Sequence, residues 1–123
     1  MGLSTHLGLS THVLDTMHGC PAAGMTLELH VTEGSSGTLI KRVTLNADGR
    51  NPDGLLLRND ELKRGTYRLI FDVAAYFRAR HADLPEPPFL DRVTLDFGVA
   101  NLAQHYHVPL LVSPWSYSTY RGS

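Results

Sequence analysis

The sequence predicts an all-β fold, a sandwich of about seven or eight short strands with a single short helix. Segments rich in β-branched and aromatic residues alternate apolar and polar side chains along most of the chain. Clusters of Gly, Pro, Asn and Asp separate these segments, as turns do between neighbouring strands. The length of 123 residues and the hydrophobic share of 42% are typical of one globular domain.

The elements follow one another in a simple order. The predicted strands span residues 9–15, 25–33, 38–45, 54–58, 65–73, 89–97, 105–112 and 115–120. Turns or loops are predicted over 18–24, 33–37 and 46–50, the last of which contains an Asp-Gly pair. Residues 74–82 lack the alternation and contain good helix formers, so they predict the helix. Residues 83–89 should be extended, because their three prolines fix φ and lack N–H donors.

Polar side chains on three predicted strands point away from the core. In the strand over 105–112, one face is apolar and the opposite face carries His105 and His107. The same alternation buries Val13 and turns His12 outward, and it places Tyr120 on the face of the serines in the last strand. Such a set of outward polar residues indicates a candidate site.

Each histidine also has an ordinary structural explanation. A lone strand histidine is more often a solvated or hydrogen-bonded surface residue, and His18, His30 and His81 are interpreted in that way. The H-x-H pair at 105 and 107 could instead bind zinc with His12 as a third ligand. The sequence offers no obvious acidic partner for these imidazoles, so a metal site is the weaker interpretation.

The charge and the cysteine count exclude several classes of protein. A formal net charge of −1 gives no basic surplus that would favour nucleic acid or an anionic membrane. Cys20 is the only cysteine, which excludes a disulfide within the chain, and its place in a turn favours a small structural residue over a nucleophile. No apolar run approaches the roughly 20 residues that span a bilayer, and no signal-peptide pattern opens the chain. We therefore expect a soluble, cytoplasmic protein with no nucleic-acid or membrane partner.

Several motifs together resemble one protein family. "LSTHVLD" with "GCPA" near the start, "DGR" in the middle and "HYHVPLLVSPWSYSTYRGS" at the end are similar to the transthyretin-related 5-hydroxyisourate hydrolases. The terminal "YRGS" is the most specific motif, because the hormone carrier transthyretin lacks it. The resemblance covers about Leu9 to Ser123 and implies a transthyretin-like (prealbumin-like) β-sandwich over residues 9–123. Residues 1–8 are then expected to be a disordered N-terminal extension.

The resemblance also implies an activity and its residues. Members hydrolyse 5-hydroxyisourate at a lactam C–N bond to 2-oxo-4-hydroxy-4-carboxy-5-ureidoimidazoline in urate degradation, without a metal or organic cofactor. They form homotetramers whose active sites lie in a channel between two dimers. Matched motif by motif, the catalytic residues are His12, Arg50, His107 and Ser123, and His12, Arg50 and Tyr120 bind substrate.

The chemistry of these residue types agrees with that assignment. Imidazoles titrate near neutral pH, so His12 and His107 can exchange protons with water and with a leaving nitrogen. The Arg50 guanidinium is permanently charged and can stabilise a developing oxyanion. His105 shares the face of His107 about 7 Å away and is interpreted as a supporting residue at the edge of the site. The alternative is a transthyretin-type carrier of small ligands, which would have no use for two histidines and an arginine in one channel.

The chain opens on a repeat, "GLSTHLGLSTHV", which sets His6 and His12 in the same local sequence. Only His12 is followed by the "VLDTMHGCPA" that carries the resemblance, whereas the first copy leads into Gly8, and glycine weakens a strand. His12 is therefore predicted to be the working histidine.

Overall fold

The computed structural model describes residues 7–122. Within that range the chain forms nine strands and one helix: β1 Gly8–Asp15, β2 Cys20–Pro21, β3 Thr26–Glu33, β4 Ser36–Thr44, β5 Leu57–Arg58, β6 Gly65–Asp72, α1 Val73–Ala79, β7 Arg92–Val99, β8 Tyr106–Val112 and β9 Tyr117–Thr119. Two of the strands, β2 and β5, contain only two residues each. The other seven agree with the predicted number.

The strands form two sheets, which confirms the predicted β-sandwich. The first sheet has the order β2-β1-β8-β9, and β5 pairs with the start of β1. The second has the order β4-β3-β6-β7. Strands β1 and β8 run parallel, whereas the other described pairs are antiparallel. The two ends of the chain therefore lie side by side at the centre of the first sheet.

The core lies between the sheets, as the period-two patterns predict. Along β1 the side chains of Leu9, Thr11, Val13 and Asp15 are buried, and those between them are half-buried. The largest fully buried side chains include Phe71, Phe77, Leu27, Leu29, Leu69 and Leu110. Full burial stabilises by about 1.5–3 kcal/mol for a large apolar side chain, so this layer fixes which face of β1 points outward.

The helix and the strand after it differ from the predicted bounds. The helix ends at Ala79 rather than at 82, and two residues later His81 has a φ of +64°, outside the helical region. Strand β7 begins at Arg92 rather than at 89, because the carbonyl of Asp91 accepts hydrogen bonds from the first N–H groups of the helix. The Asp91 carbonyl thus bonds the start of the helix rather than β6, so the pairing of β6 with β7 begins at the next residue, Arg92.

Strand β1 begins one residue before the predicted start of the domain. Gly8 pairs with Arg58, and a Cβ on Gly8 would lie 2.2 Å from the carbonyl oxygen of Leu57. The φ of +153° at Gly8 is also strained for other residues. Gly8 therefore belongs to the sheet, where the close approach of β5 requires a glycine. Leu7, also in the predicted extension, accepts a hydrogen bond at its carbonyl from the Asn59 N–H at 3.1 Å. Residues 1–6, with His6, lie outside the described residues.

No helix within residues 7–122 is long and apolar enough to cross a membrane.

Candidate active site

The outward face of the β1–β8 pair brings residues from both ends of the chain together. In this parallel ladder Ser10 lies directly beside His107, and His12 lies beside Pro109. His12 and His107 are thus diagonal neighbours on one face, with Cα atoms about 8 Å apart at standard strand spacing. Both imidazoles are half-buried. Two half-buried imidazoles at this separation can approach one small molecule from two sides.

A tight loop adds Arg50 to this face. The side-chain oxygen of Asn46 accepts hydrogen bonds from the backbone N–H groups of Asp48 (2.9 Å) and Arg50 (3.1 Å), which closes the predicted turn. The Val13 N–H donates to the Gly49 carbonyl at 2.9 Å and ties the loop to β1. Gly49 has a φ of +73°, and a Cβ there would lie 2.5 Å from the Val13 carbonyl oxygen. Only glycine permits this contact, which sets Arg50 next to the strand that carries His12.

The electrostatics show that these side chains form one cluster, which we call the histidine–arginine cluster (His12, Arg50 and His107). Burial and then the Arg50 charge lower the pKa of His12, although a hydrogen bond to the Asp48 backbone opposes them. Burial, Arg50, His105 and His12, in that order of size, lower the pKa of His107. Each cation therefore disfavours protonation of its neighbours, and both histidines are neutral around pH 7.

Among residues 7–122, no ion pair within 4.0 Å joins an Asp or Glu to His12, Arg50 or His107, and the charge of Asp48 only partly offsets the lowering of the His12 pKa. The cluster thus combines two neutral imidazoles with one permanent positive charge. This arrangement suits a neutral or anionic substrate whose carbonyl oxygen becomes negative during reaction.

Ser10 is a member of the site that the sequence interpretation did not single out. Its hydroxyl oxygen lies 2.7 Å from Nδ1 of His107 and 2.9 Å from Nε2 of His105. The two rings are 6.5 Å apart between centroids and nearly parallel, at 15°. His105 is therefore linked to His107 as a supporting residue. The alternation of "LSTH" puts Ser10 and His12 on one face, but the pairing with a strand about a hundred residues away is not visible locally.

A cavity of about 320 Å³ opens beside these groups. Its walls include Ser10, His105 and Arg50, together with Asn46, Asn51 and Pro52 from the loop. The volume lies at the lower end of the range for small-molecule sites.

The C-terminal segment continues the sheet beyond β9 and contacts His107. Gly122 pairs with His107, and its N–H donates to the His107 carbonyl at 2.8 Å. A Cβ on Gly122 would lie 2.6 Å from Cδ2 of the His107 ring. Gly122 is not among the residues with positive φ, so the glycine is needed here for the space that the imidazole occupies. With Ser10 on Nδ1 and Gly122 against Cδ2, Nε2 is the ring nitrogen left for substrate.

The rest of the tail motif is less closely tied to the cluster. The register that pairs Leu110 with Thr119 and His107 with Gly122 places Tyr120 opposite Pro109, on the outward face as predicted. Tyr120 is 60% exposed, and no described contact joins it to the histidine–arginine cluster. Ser123 lies outside the described residues.

Arg121 of the tail motif contacts residues around His105. Its guanidinium donates to the side-chain oxygen of Gln104 (3.0 Å) and to the His105 carbonyl (3.2 Å). It also lies 4.2 Å from the centroid of the Tyr106 ring. Neutral acceptors and an aromatic face hold this arginine, and they fix the tail next to His105.

Two other histidines have structural partners in this chain. His18 contacts the buried Asp15 at 2.6 Å, and His30 contacts Glu28 at 2.9 Å. Within residues 7–122, no three His, Cys, Asp or Glu side chains are grouped so that they could hold a metal ion. Cys20 is half-buried in the two-residue strand β2.

The fold is shared with solved structures of two kinds. A Klebsiella pneumoniae 5-hydroxyisourate hydrolase superposes with a TM-score of 0.76 at 31% identity, covering 95% of this chain and 99% of that one. A sea bream transthyretin in complex with thyroxine superposes with a TM-score of 0.80 at 28% identity, covering 93% of each chain. The sandwich is therefore of the transthyretin type.

Sequence comparison gives higher identities. A Pseudomonas aeruginosa protein named 5-hydroxyisourate hydrolase is 52% identical over 115 residues, 94% of this chain and 90% of that one. A Deinococcus radiodurans protein of the same name is 51% identical over 121 residues, 98% of this chain and all of the other. Residues 9–122 match the family described as HIUase/Transthyretin, and the chain belongs to that family.

Proposed function

We propose that this protein hydrolyses 5-hydroxyisourate, with water breaking a lactam C–N bond to give 2-oxo-4-hydroxy-4-carboxy-5-ureidoimidazoline in urate degradation. The observation that carries the proposal is the histidine–arginine cluster, in which two imidazoles of lowered pKa share one face with a guanidinium. The hydrolases at 51–52% identity support the same reaction. The cluster uses no metal or organic cofactor in this scheme.

The cluster supplies each group that the reaction needs. One of His12 and His107 takes a proton from the attacking water, and the other gives a proton to the leaving ring nitrogen. The lowered pKa values keep the accepting imidazole unprotonated near neutral pH. Arg50, whose charge acts on both imidazoles, donates in this scheme to the carbonyl oxygen as negative charge develops during attack.

Tyr120 and Ser123 complete the proposed site. Tyr120 stands on the outward face next to Pro109, where its hydroxyl can bind the ring of the substrate. Ser123 follows Gly122, which pairs with His107, and this closeness in the chain supports a role for the Ser123 hydroxyl. A tag appended after Ser123 should lower kcat/KM much more than the same tag placed before Met1, and equal activities would contradict a role for this residue.

The proposed assembly is a homotetramer with its sites in the channel between two dimers. Members of this family are known as oligomers that bind small ligands. Within residues 7–122, His12 and His107 on the outward face of β1–β8 are half-buried and Tyr120 is 60% exposed, which supports a face that a neighbouring subunit covers. Light scattering should report about four chains per particle, whereas a fully active monomer would contradict a shared channel. The composition supports a cytoplasmic location, with a single cysteine in the chain.

A transthyretin-type carrier is less well supported. The sea bream transthyretin shares 28% identity with this chain, compared with 52% for the Pseudomonas aeruginosa hydrolase. A carrier also needs no proton exchange, and therefore no pair of imidazoles with lowered pKa values.

An absorbance assay tests the proposal directly. Freshly generated 5-hydroxyisourate decays slowly by itself, and the enzyme should accelerate the decay in proportion to its concentration. Heat-inactivated protein and His12→Ala at the same concentration serve as controls. A rate equal to the spontaneous one would contradict the proposed function.

A further inference from the structure

We infer that Ser10 is a positioning residue that, together with His105, sets the tautomer of the His107 imidazole. The inference rests on the proposed function for its catalytic meaning, but the hydrogen bonds that carry it belong to the structure alone. Ser10 Oγ lies 2.7 Å from Nδ1 of His107 and 2.9 Å from Nε2 of His105, so one hydroxyl is shared by two rings.

The chemistry of a hydroxyl couples these two rings. Ser10 has one proton to donate, so it can donate to only one of the two ring nitrogens. The other nitrogen must then carry a proton and donate to the hydroxyl oxygen. Donation to His107 leaves Nδ1 of that ring unprotonated and places its proton on Nε2. Donation to His105 leaves Nδ1 of His107 protonated and frees the lone pair on Nε2. The two nitrogens that face Ser10 are therefore in opposite protonation states, so His105 and His107 share one tautomer, both Nε2–H in the first case and both Nδ1–H in the second.

The position of His107 links its tautomer to the substrate. His107 is held on one side by Ser10, its direct neighbour in the ladder, and on the other side by the backbone of Gly122. Its Nε2 remains as the nitrogen that can reach substrate. The Ser10–His105 pair selects the tautomer of His107. That tautomer decides whether Nε2 of His107 accepts a proton from water or donates one to a leaving nitrogen.

The switch between the two states is balanced in protons. When Nε2 of His107 takes a proton, its Nδ1–H proton can pass to Ser10 Oγ as the Ser10 proton passes to Nε2 of His105. The positive charge then lies on His105, which precedes β8 and is further from His12 than His107 is. His12, Arg50 and His105 are the groups whose charge acts on His107 from β1, from the 46–50 loop and from the segment before β8.

Nitrogen-15 chemical shifts of the imidazoles in the labelled protein test the tautomer directly, without substrate. In the wild type, only one of the two Ser10-facing nitrogens, Nδ1 of His107 and Nε2 of His105, should carry a proton. Ser10→Ala should change the His107 shifts toward the mixture found in free imidazole. Ser10→Thr, which keeps the hydroxyl on a residue suited to strands, should restore them.

Thr11→Val is the matched control. The Thr11 hydroxyl also joins β1 to β8, donating to the Val108 carbonyl at 2.7 Å, but it is buried, and no hydrogen bond described within residues 7–122 joins it to a histidine. Thr11→Val loses this one hydrogen bond to β8, whereas Ser10→Ala loses the bond to His107 in β8 and the bond to His105 just before it. Only Ser10→Ala should alter the His107 shifts and the pH profile of kcat, with kcat falling roughly 10- to 100-fold and KM changing little.

The outcomes separate the two hypotheses. Unchanged His107 shifts in Ser10→Ala, or a loss of kcat no larger than in Thr11→Val, would show that Ser10 is merely structural. If wild-type protein showed no hydrolysis while the shifts behaved as expected, the positioning role would stand and the proposed function would fail.

Discussion

The two faces of β1 both carry polar side chains, but their partners differ. On the inward face, the buried Asp15 accepts hydrogen bonds from the His18 N–H (2.9 Å), the His18 imidazole (2.6 Å) and the Tyr76 hydroxyl (2.8 Å). Burial raises the pKa of Asp15, but these hydrogen bonds outweigh it and hold the pKa below its ordinary value. Every partner here stabilises the ionised carboxylate.

On the outward face the charges oppose one another. His12 and His107 lie within reach of each other and of Arg50, and burial and this charge lower the pKa of both imidazoles. On the inward face, the hydrogen bonds to Asp15 stabilise the folded protein, as a structural network does. The outward set holds imidazoles near their titration point with no ion pair to an Asp or Glu within 4.0 Å among residues 7–122, which is what acid–base chemistry needs. Substitutions on one face should therefore affect stability, and those on the other activity.

The largest effect is expected for His12→Ala. Removal of an acid–base group should lower kcat/KM by on the order of 10²-fold or more, while the free energy of unfolding changes little because the side chain is only half-buried. His6→Ala, in the first copy of the repeat, should stay within about twofold. Equal losses in the two variants would contradict the assignment of the working histidine to His12 rather than His6.

Gly122→Ala should come next. The added methyl would lie 2.6 Å from Cδ2 of His107, so the imidazole must move. A displacement of about 1 Å in a catalytic group can cost roughly 10²-fold, and we expect a loss in kcat/KM between tenfold and that value. Gly98→Ala is the control, because a Cβ there meets no atom within 4 Å. Unchanged activity in Gly122→Ala would mean that the tail does not hold His107 in place.

Much of this contrast could be predicted from the sequence. Alternation along 9–15 and 105–112 assigns His12, His105 and His107 to the outward faces, and the Asp-Gly pair predicts the turn that carries Arg50. These features depend on neighbours a few residues apart, and local geometry decides them.

The features that were not predicted depend on distant parts of the chain. Ser10 becomes a partner of His107 only through the parallel register of β1 and β8. The glycine at position 122 is required by the ring of His107, a residue on the neighbouring strand. Arg121 donates to the Gln104 side-chain oxygen and to the His105 carbonyl, which the path of the tail brings within reach. Sequence spacing alone cannot give such contacts.

Tyr76→Phe tests the inward face. Loss of the hydroxyl leaves the buried Asp15 with one donor fewer, which should cost about 1–3 kcal/mol in the free energy of unfolding. Urea denaturation measures this cost, and kcat/KM of the folded variant should match the wild type. Tyr117→Phe, at an exposed position, should leave both quantities unchanged. A variant as stable as the wild type would show that Asp15 does not depend on Tyr76.

Lowering the pH should separate the two faces within one protein. Because the pKa values of His12 and His107 are lowered from 6.5, the acid limb of kcat/KM should lie below pH 6.5. Protonation of these histidines also removes some stability as the pH falls from 6.5 through their folded-state pKa values. The stability from Asp15 is fully present above its unfolded pKa of about 3.8 and is lost only as the pH falls through its lower folded-state value.

Circular dichroism and activity measured on the same samples should therefore show a pH range in which the protein is folded but inactive, and reversibly so. In Arg50→Gln the acid limb should move up toward pH 6.5, because one source of positive charge is gone. Loss of activity and of structure at the same pH would contradict the separation.

The smallest effect is expected on the outer face of the second sheet, where Glu28 and Arg42 form an ion pair and His30 also contacts Glu28. These charges are paired like those around Asp15, but the Arg42 side chain is 65% exposed, so water already solvates it. Exposed ion pairs contribute little to stability because solvation and side-chain entropy offset the attraction. Arg42→Gln should change Tm by no more than about 2 °C and leave kcat/KM as it is. Melting curves and the absorbance assay measure the two quantities. A clear loss of activity would show that pairing alone does not mark a face as structural, and that this second sheet also takes part in the reaction.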